Sequence, residues 1–362
     1  MKKQLLYIMA LMPLFFAACS SDDVAGGPVN KSGEDLNKTV EIKLTPGTVT
    51  SRTPMTTDVT LDDSLNNVCI VFFEGHKPTS KIVSYQDIDF SKMTPNAYGI
   101  FTKRVSTTSK ATYAVALANV TENYVSGCAT FQDVMNTKAD IRSTGTQDGR
   151  YSQYQPATNR QYNTGLPMYG EDTIQNDQVL LNLERKVARV RINVKTDFSG
   201  RSDGAGFTPT EIFMHNFWNK CKWNEKSGCD SLIKTAESIY ISSDYIIMST
   251  GVQPFATLND PNYAAWATFY VLPWIGSSAD LQVVVKGTYT NSLGTSTIYY
   301  PVSINGGMVE QNNAYTINIT IKGKGVELKD VNDGPLNSSS NLTVNVEVSP
   351  WTTVPNIDKT IE

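Results

Sequence analysis

Residues 187–196 read VARVRINVKT, and from the second residue onward this stretch alternates apolar and polar side chains. Successive side chains of an extended chain point to opposite faces, so the even-numbered positions form one apolar face: Ala188, Val190, Ile192 and Val194. Positions 189, 191 and 193 carry arginine or asparagine. The pattern predicts a β-strand with one buried face and one polar face.

Similar strand signals fill most of the chain. AYTINITIKG at 314–323 alternates in the same way, and β-branched or aromatic runs bounded by Gly, Pro, Asn and Ser recur elsewhere: TVEIKL at 39–44, NNVCIVFF at 66–73, SKIVSY at 80–85, GIFTKRV at 99–105, ATYAVALAN at 111–119, ATFYVLPW at 267–274, LQVVVKGTY at 281–289 and TIYYPVSI at 297–304. One short helix is predicted from Thr130 to Met135, because Thr130 and Asp133 have the spacing of a capping box. The sequence therefore predicts an all-β protein, and 362 residues suit two medium-sized sandwich domains.

The N-terminus has the pattern of a signal peptide. Lys2 and Lys3 precede an apolar run over 5–16, and Ala17 and Ala18 precede Cys19. A run of about 12 residues is too short for a membrane span, which needs roughly 20. FAAC resembles the bacterial lipobox, which predicts acylation of Cys19; the other interpretation is an ordinary secretory signal with a chance cysteine. The SSDD that follows resembles Ser-Asp tracts that direct lipoproteins to the outer surface, and 20–37 has the composition of a tether.

Cysteine usage and charge exclude several classes of protein. After Cys19 only four cysteines remain, too few for a disulfide framework. Cys221 and Cys229 form a possible disulfide that closes one loop, whereas Cys69 and Cys128 stand in apolar settings and are expected to be buried free thiols. A net charge of -4 with interspersed signs offers no basic face for nucleic acid.

No catalytic motif is present. The two histidines, His76 and His215, lie in no metal-ligand spacing, and there is no nucleophile elbow, Walker loop or dinucleotide fingerprint. We therefore expect no enzyme activity, no metal and no cofactor. Aromatic side chains leave one binding alternative open. The tyrosines of 140–170, and Trp218 and Trp223, either stack on a glycan or pack against a sheet, and packing is the more frequent arrangement.

Several segments together resemble the fimbrillin family of Bacteroidales, the type V pilins. They are the lipobox leader, TVEIKLTPGTVTSRTP at 39–54, GLPMYGE at 165–171, VLLNLERKVARVRINV at 179–194, TFYVLP at 268–273 and NGGMVEQNNAYTINITIKG at 305–323. The resemblance spans nearly the whole chain. It implies two transthyretin-like β-sandwich domains in tandem, export as a lipoprotein, and polymerisation by strand exchange. It also implies a trypsin-like protease that cuts after an arginine, and Arg52 matches that position, so that mature protein would begin at Thr53.

The resemblance divides the chain into four parts. Residues 1–18 are the signal peptide, 19–52 a lipidated propeptide with a detachable first strand, 53–180 the N-terminal sandwich, and 181–362 the C-terminal sandwich with a donor-strand tail. The implied partners are copies of the chain itself or related pilins, arranged head to tail, and the processing protease. The implied location is the cell surface, first as an outer membrane lipoprotein precursor and then in a fimbrium.

Two strands have the alternation that strand exchange needs. In TVEIKL, Val40, Ile42 and Leu44 share one face and can lie in a sandwich groove. Cleavage after Arg52 would break the covalent connection between this strand and its domain. NLTVNVEVSP at 341–350 has a matching face, made by Leu342, Val344, Val346 and Val348. This second strand is either a donor for the groove of a neighbour or an edge strand of its own domain.

The predicted function is a structural pilus subunit that supports adhesion to a host or bacterial ligand, which the sequence does not identify. The first alternative is an uncleaved pilus anchor, tip or glycan-binding surface lipoprotein. The second is a surface glycosidase, which would need paired carboxylates in a pocket.

Overall fold

The computed structural model describes residues 27–46, 65–140, 165–215, 217–224, 231–233, 265–275, 282–304, 308–327 and 342–350. Within these ranges the chain is almost entirely β, with a single short helix and several sheets. The all-β prediction is therefore confirmed.

The first sandwich is one eight-stranded array that folds into two layers. Its strand order is β1-β4-β3-β6-β8-β9-β2-β5, and only two residue pairs join β8 to β9, so the array bends at that point. Inward side chains of both halves form one core. The elements of this half of the chain are β1 (Val29–Asn30), β2 (Lys38–Pro46), β3 (Asn67–Phe73), β4 (Ile82–Asp89), β5 (Phe101–Thr107), β6 (Tyr113–Ala118), α1 (Phe131–Asn136), β7 (Lys138–Asp140), β8 (Met168–Thr173) and β9 (Gln178–Arg185).

The central strands of this sandwich are buried on both faces. Ile70 and Ala116 face the core between the layers, whereas Val71 and Leu117 face a second apolar cluster on the outside. The helix α1 covers that outer cluster with Val134 and Met135. This double burial explains why β3 reads as a continuous apolar run and does not alternate.

The helix α1 has the predicted N-terminus. The Thr130 hydroxyl accepts a hydrogen bond from the Asp133 backbone N–H, and the Asp133 side chain accepts one in return from the Thr130 backbone. Hydrogen bonds from the Thr130 side chain and from two backbone N–H groups lower the pKa of Asp133. The capping box predicted from the sequence is thus confirmed.

The second sandwich has two main sheets, with the orders β14-β10-β19-β20 and β11-β16-β17. The side chains predicted to share one face of β10 and of β19 are buried in its core, from Ala188 to Val194 and from Tyr315 to Ile321. Its elements are β10 (Ala188–Thr196), β11 (Gly206–His215), β12 (Phe217–Lys222), β13 (Ser231–Ile233), β14 (Ala265–Val271), β15 (Trp274–Ile275), β16 (Gln282–Asn291), β17 (Gly294–Ser303), β18 (Met308–Val309), β19 (Asn313–Ile321) and β20 (Leu342–Pro350).

The core changes from the first sandwich to the second between Arg185 and Val187. The boundary expected after residue 180 falls inside β9, whose Leu181 and Leu183 still belong to the first core. Side-chain and backbone contacts also join the domains. Arg185 donates a hydrogen bond from Nη1 to Asn312 Oδ1 at 3.0 Å, and β12 pairs with β7 in a small sheet that also contains β13.

Candidate strand-exchange site

The first long strand, β2, lies inside a sheet and not at its edge. It pairs antiparallel with β5 on one side, with Glu41 opposite Arg104. On the other side it pairs parallel with β9, with Ile42 opposite Val179. Both backbone edges of β2 are therefore engaged, and removal of β2 would leave unpaired backbone groups on two neighbouring strands.

The inner face of β2 is fully buried. Val40, Ile42 and Leu44 each have 0% of their surface exposed and belong to the first core. This is the face that the alternation of TVEIKL predicts. Burial of three such side chains contributes about 5 to 9 kcal/mol before ordering costs. We call the space that β2 occupies, between β5 and β9 and above this core, the β2 groove.

The outer face of β2 carries polar contacts to both neighbours. The Lys38 ammonium lies 3.3 Å from Asp177 Oδ1, and Glu41 lies within 3.8 Å of Arg104 Nε. One partner of each pair, Asp177 or Arg104, is largely open to solvent, so each pair adds little stability. Thr45 is different because it is only 7% exposed, and its hydroxyl donates a hydrogen bond of 2.6 Å to Asn182 Oδ1 on β9.

The chain before β2 holds the opposite layer of the same sandwich. The two residues of β1 pair with β4, with Val29 opposite Tyr85. Lys31 donates from its backbone N–H to Val83 O at 3.0 Å and from Nζ to Ser126 O at 2.6 Å. A further ion pair joins Glu34 to Lys110 at 2.6 Å. Residues 29–46 thus contact both layers of the sandwich. The sequence did not indicate β1, because two residues are too few to establish a period.

The other strand of interest, β20, is an edge strand of the second sandwich. It pairs antiparallel with β19, with Asn345 opposite Asn318, and it ends the four-stranded sheet in the described part of the chain. Val344 is partly buried against the second core, and Asn345 is exposed. In the monomer β20 therefore occupies its own domain, which is one of the two placements that the sequence left open.

Several candidate residues lie outside the described ranges. They are the lipidation site Cys19, the cleavage pair Arg52 and Thr53, and Cys229. Cys221 is buried and disulfide-bonded. Its pairing with Cys229 remains a prediction.

The remaining cysteines behave as the sequence predicts. Cys69 and Cys128 are free and buried. Burial raises the pKa of both thiols, and Asp87 raises that of Cys69 further. Neither thiol is therefore placed for reactive chemistry.

The aromatic side chains of Trp223 and Tyr169 pack against the first domain. Trp223 is 1% exposed, stacks on Tyr169 with the ring centroids 6.4 Å apart, and donates from Nε1 to the Tyr124 hydroxyl at 3.3 Å. Packing, and not glycan stacking, is thus the arrangement of Trp223 and Tyr169. The other loop tyrosines, at 151, 154 and 162, lie outside the described residues.

Neither a cluster of metal ligands nor a membrane-spanning helix is found among the described residues. Their His, Cys, Asp and Glu side chains include no group of three or more that could hold a metal ion. No helix among them is long and apolar enough to cross a membrane.

Comparison with solved structures places the chain in a known fold. A candidate cell adhesion protein from Bacteroides eggerthii superposes with a TM-score of 0.59 at 18% identity, over 87% of this chain and 96% of that one. A similar protein from Parabacteroides distasonis gives 0.57 at 16% identity, over 87% and 96%. A fimbrilin from Porphyromonas gingivalis gives 0.56 at 17% identity, over 89% and 99%. No protein-family model and no curated protein matches the chain. At these identities the likeness is one of fold.

Proposed function

We propose that this protein is a structural subunit of a surface pilus, and that it polymerises by strand exchange triggered by proteolysis. One observation carries the proposal. The first long strand lies in the interior of a sheet, yet its covalent tie to the rest of its sandwich is a single linker that contains Arg52. The fold shared with a fimbrilin and with candidate cell adhesion proteins supports a pilus role and argues against an enzyme.

In the proposed assembly pathway, the chain is first exported as a lipoprotein. The leader would be removed and Cys19 acylated, so that the precursor is held at the outer membrane by its own propeptide. The β2 strand would keep the precursor folded and unpolymerised, because it fills the groove with three buried side chains.

Cleavage after Arg52 by a trypsin-like protease would release 19–52 as a separate piece. Its departure would uncover Val179 and Leu181 on β9 and Val105 on β5, all of which belong to the first core. It would also leave backbone groups unpaired on both β5 and β9. An apolar groove with two open edges favours any incoming strand of matching alternation.

The strand β20 of another copy is the proposed occupant. Among the described strands, β20 pairs in its own domain on one edge only, towards β19, whereas the β2 groove offers partners on both sides. Transfer of β20 into the groove would therefore replace one backbone hydrogen-bond ladder with two. Groove and donor lie on different domains, so the contact is heterologous and builds an open filament, with copies of this chain or related pilins head to tail.

An uncleaved anchor is the second candidate function. It is favoured by the way that residues 29–46 hold both layers of the sandwich, through β1, β2 and the Glu34–Lys110 ion pair. An anchor would keep its propeptide and its lipid, and would accept no strand.

N-terminal sequencing of filaments sheared from cells tests the proposal. A subunit begins at Thr53, whereas an anchor retains acylated Cys19. Arg52→Ala should leave a longer, lipidated chain and abolish polymer. Arg150→Ala removes a different arginine and should polymerise normally. Normal polymer from Arg52→Ala, with an intact N-terminus, would overturn the proposal.

A further inference from the structure

We infer that β20 of a second copy enters the β2 groove in the direction of β2 and in one register, with Val344 at the place of Val40 and Pro350 at the place of Pro46. In this register Asn182 Oδ1 accepts a hydrogen bond from the Ser349 hydroxyl. The inference rests on the proposed strand exchange and adds its direction, its register and a residue that sets them.

The two strands match position by position. Both are nine residues long and both end in proline: KTVEIKLTP for β2 and LTVNVEVSP for β20. In this alignment Thr343 and Val344 are identical to their counterparts in β2. Val346 and Val348 replace Ile42 and Leu44, and Ser349 replaces Thr45. The donor side chains at 346 and 348 are each one methylene smaller, so the donor fits the groove without overpacking it.

The terminal prolines oppose a shift in one direction. The Glu41 backbone N–H donates to Asp177 O beside β9, at 2.9 Å, so the N–H groups of even-numbered β2 residues point towards β5. The β5 ladder ends at Leu44 opposite Phe101, and Pro46 lies beyond it, where no N–H is needed. A shift of two residues would put Pro350 at the place of Leu44 and remove a ladder donor.

Thr45 opposes the shift in the other direction. Its site is 7% exposed and faces Asn182. The opposite shift of two would place the Glu347 carboxylate there, and burial of an unpaired carboxylate is unfavourable. Ser349 instead supplies a small hydroxyl that can donate to Asn182 Oδ1 as Thr45 does. Shifts by one residue are excluded, because they turn the apolar face outward.

The reversed direction conflicts with the same features. It would place Pro350 at the site of Lys38 and Ser349 at the site of the exposed Thr39, away from Asn182. The aligned direction is therefore the one that preserves the position-by-position match of the two strands.

Disulfide capture tests the register in filaments of the full chain. Asn345→Cys combined with Arg104→Cys should link neighbouring subunits, because position 41 faces Arg104 in a pair without mutual hydrogen bonds, where the side chains lie close. Thr343→Cys or Glu347→Cys, each with Arg104→Cys, would report shifts of two. Native thiols should contribute little background, since Cys69 and Cys128 are buried and Cys221 is disulfide-bonded. Capture through position 343 or 347 in place of 345 would overturn the register.

A disulfide lock, which holds β20 in its own domain, distinguishes a wrong register from the absence of strand exchange. Within its own domain Asn345 pairs with Asn318 in the β19–β20 ladder. Asn318→Cys combined with Asn345→Cys should therefore hold β20 in that domain. Polymer should vanish under oxidation and return on reduction. If the locked chain polymerises normally, exchange through β20 is wrong. If the lock blocks polymer but Arg104→Cys captures a shifted position, exchange stands and the register is wrong.

The role of Asn182 has a separate test. Ser349→Ala leaves the Thr45–Asn182 contact of the precursor intact but removes the hydroxyl from the donor. The fraction of subunits captured in register should fall roughly fivefold relative to shifted products, as expected for one neutral hydrogen bond. An unchanged fraction would overturn the role of Asn182.

Discussion

Trp223 shows how one side chain joins the two domains. It follows β12 of the second domain, yet it is buried in the outer cluster of the first, against Tyr169 and Tyr124. The Tyr124 hydroxyl accepts from Trp223 Nε1 and donates to Lys138 O at 2.6 Å. The pairing of Cys221 with Ala139 in the backbone ladder brings this segment to the first domain.

Loss of the Trp223 side chain should destabilise the first domain. Trp223→Ala removes a large buried ring, and we expect a loss of about 3 to 5 kcal/mol in the free energy of unfolding. Trp223→Phe keeps a ring against Tyr169 but loses the hydrogen bond to Tyr124, so it should cost less. Urea unfolding followed by circular dichroism measures both variants. Equal stability of Trp223→Ala and the parent chain would mean that the contact does not join the domains.

At the level of elements, β2 and β20 carry the same alternation in different settings. In the part of the chain that the structure describes, the first is an interior strand with two paired edges, and the second is an edge strand with one. Edge strands leave their sheets at a lower cost, because fewer backbone hydrogen bonds must break. In the proposed exchange, this difference favours β20 as the strand that moves and the β2 groove as the site that receives it.

A charge on the inward face of β20 should block assembly. Val346→Asp would bury an unpaired carboxylate in the groove of the neighbour, at a cost of several kcal/mol, and polymer yield should fall to background. Asn345→Asp changes the adjacent, exposed position and should be tolerated. Thermal melts of both monomers provide the control, and a cooperative melt of Val346→Asp is expected. Normal polymer yield from Val346→Asp would contradict strand exchange.

At the level of the whole molecule, the segment proposed as the propeptide packs as an internal ligand of the first sandwich. Residues 29–46 contact β4 in one layer and β5 and β9 in the other. In the proposed cycle, the linker that contains Arg52 would keep this ligand at a high effective concentration until it is cut. Cleavage would then convert an intramolecular contact into one that a neighbour can replace.

The free propeptide should therefore inhibit assembly in trans. A synthetic peptide of residues 27–46, in excess over cleaved subunits, should occupy the β2 groove and reduce polymer yield. The same peptide with Ile42→Asp should not, since it would bury a carboxylate in the core. Light scattering during assembly follows the effect. Equal yields with both peptides would show that the groove is not the site of assembly.

The sequence by itself determined the features that depend on neighbouring residues. The buried faces of β10 and β19 follow from alternation, and the start of α1 follows from Thr130 and Asp133. The face of β2 made by Val40, Ile42 and Leu44 was readable in the same way. Local periodicity carries this information, because side-chain direction along a strand depends only on the backbone.

Only the tertiary structure decided which strands are neighbours. Thr45 and Asn182, in contact across β2 and β9, are 137 positions apart, and no local pattern connects them. The same holds for Trp223 in the first domain and for β1 at the edge of β4. The interior place of β2 and the edge place of β20 also belong to this class. Strand order is a property of the assembled core, because it depends on which distant apolar faces bury one another.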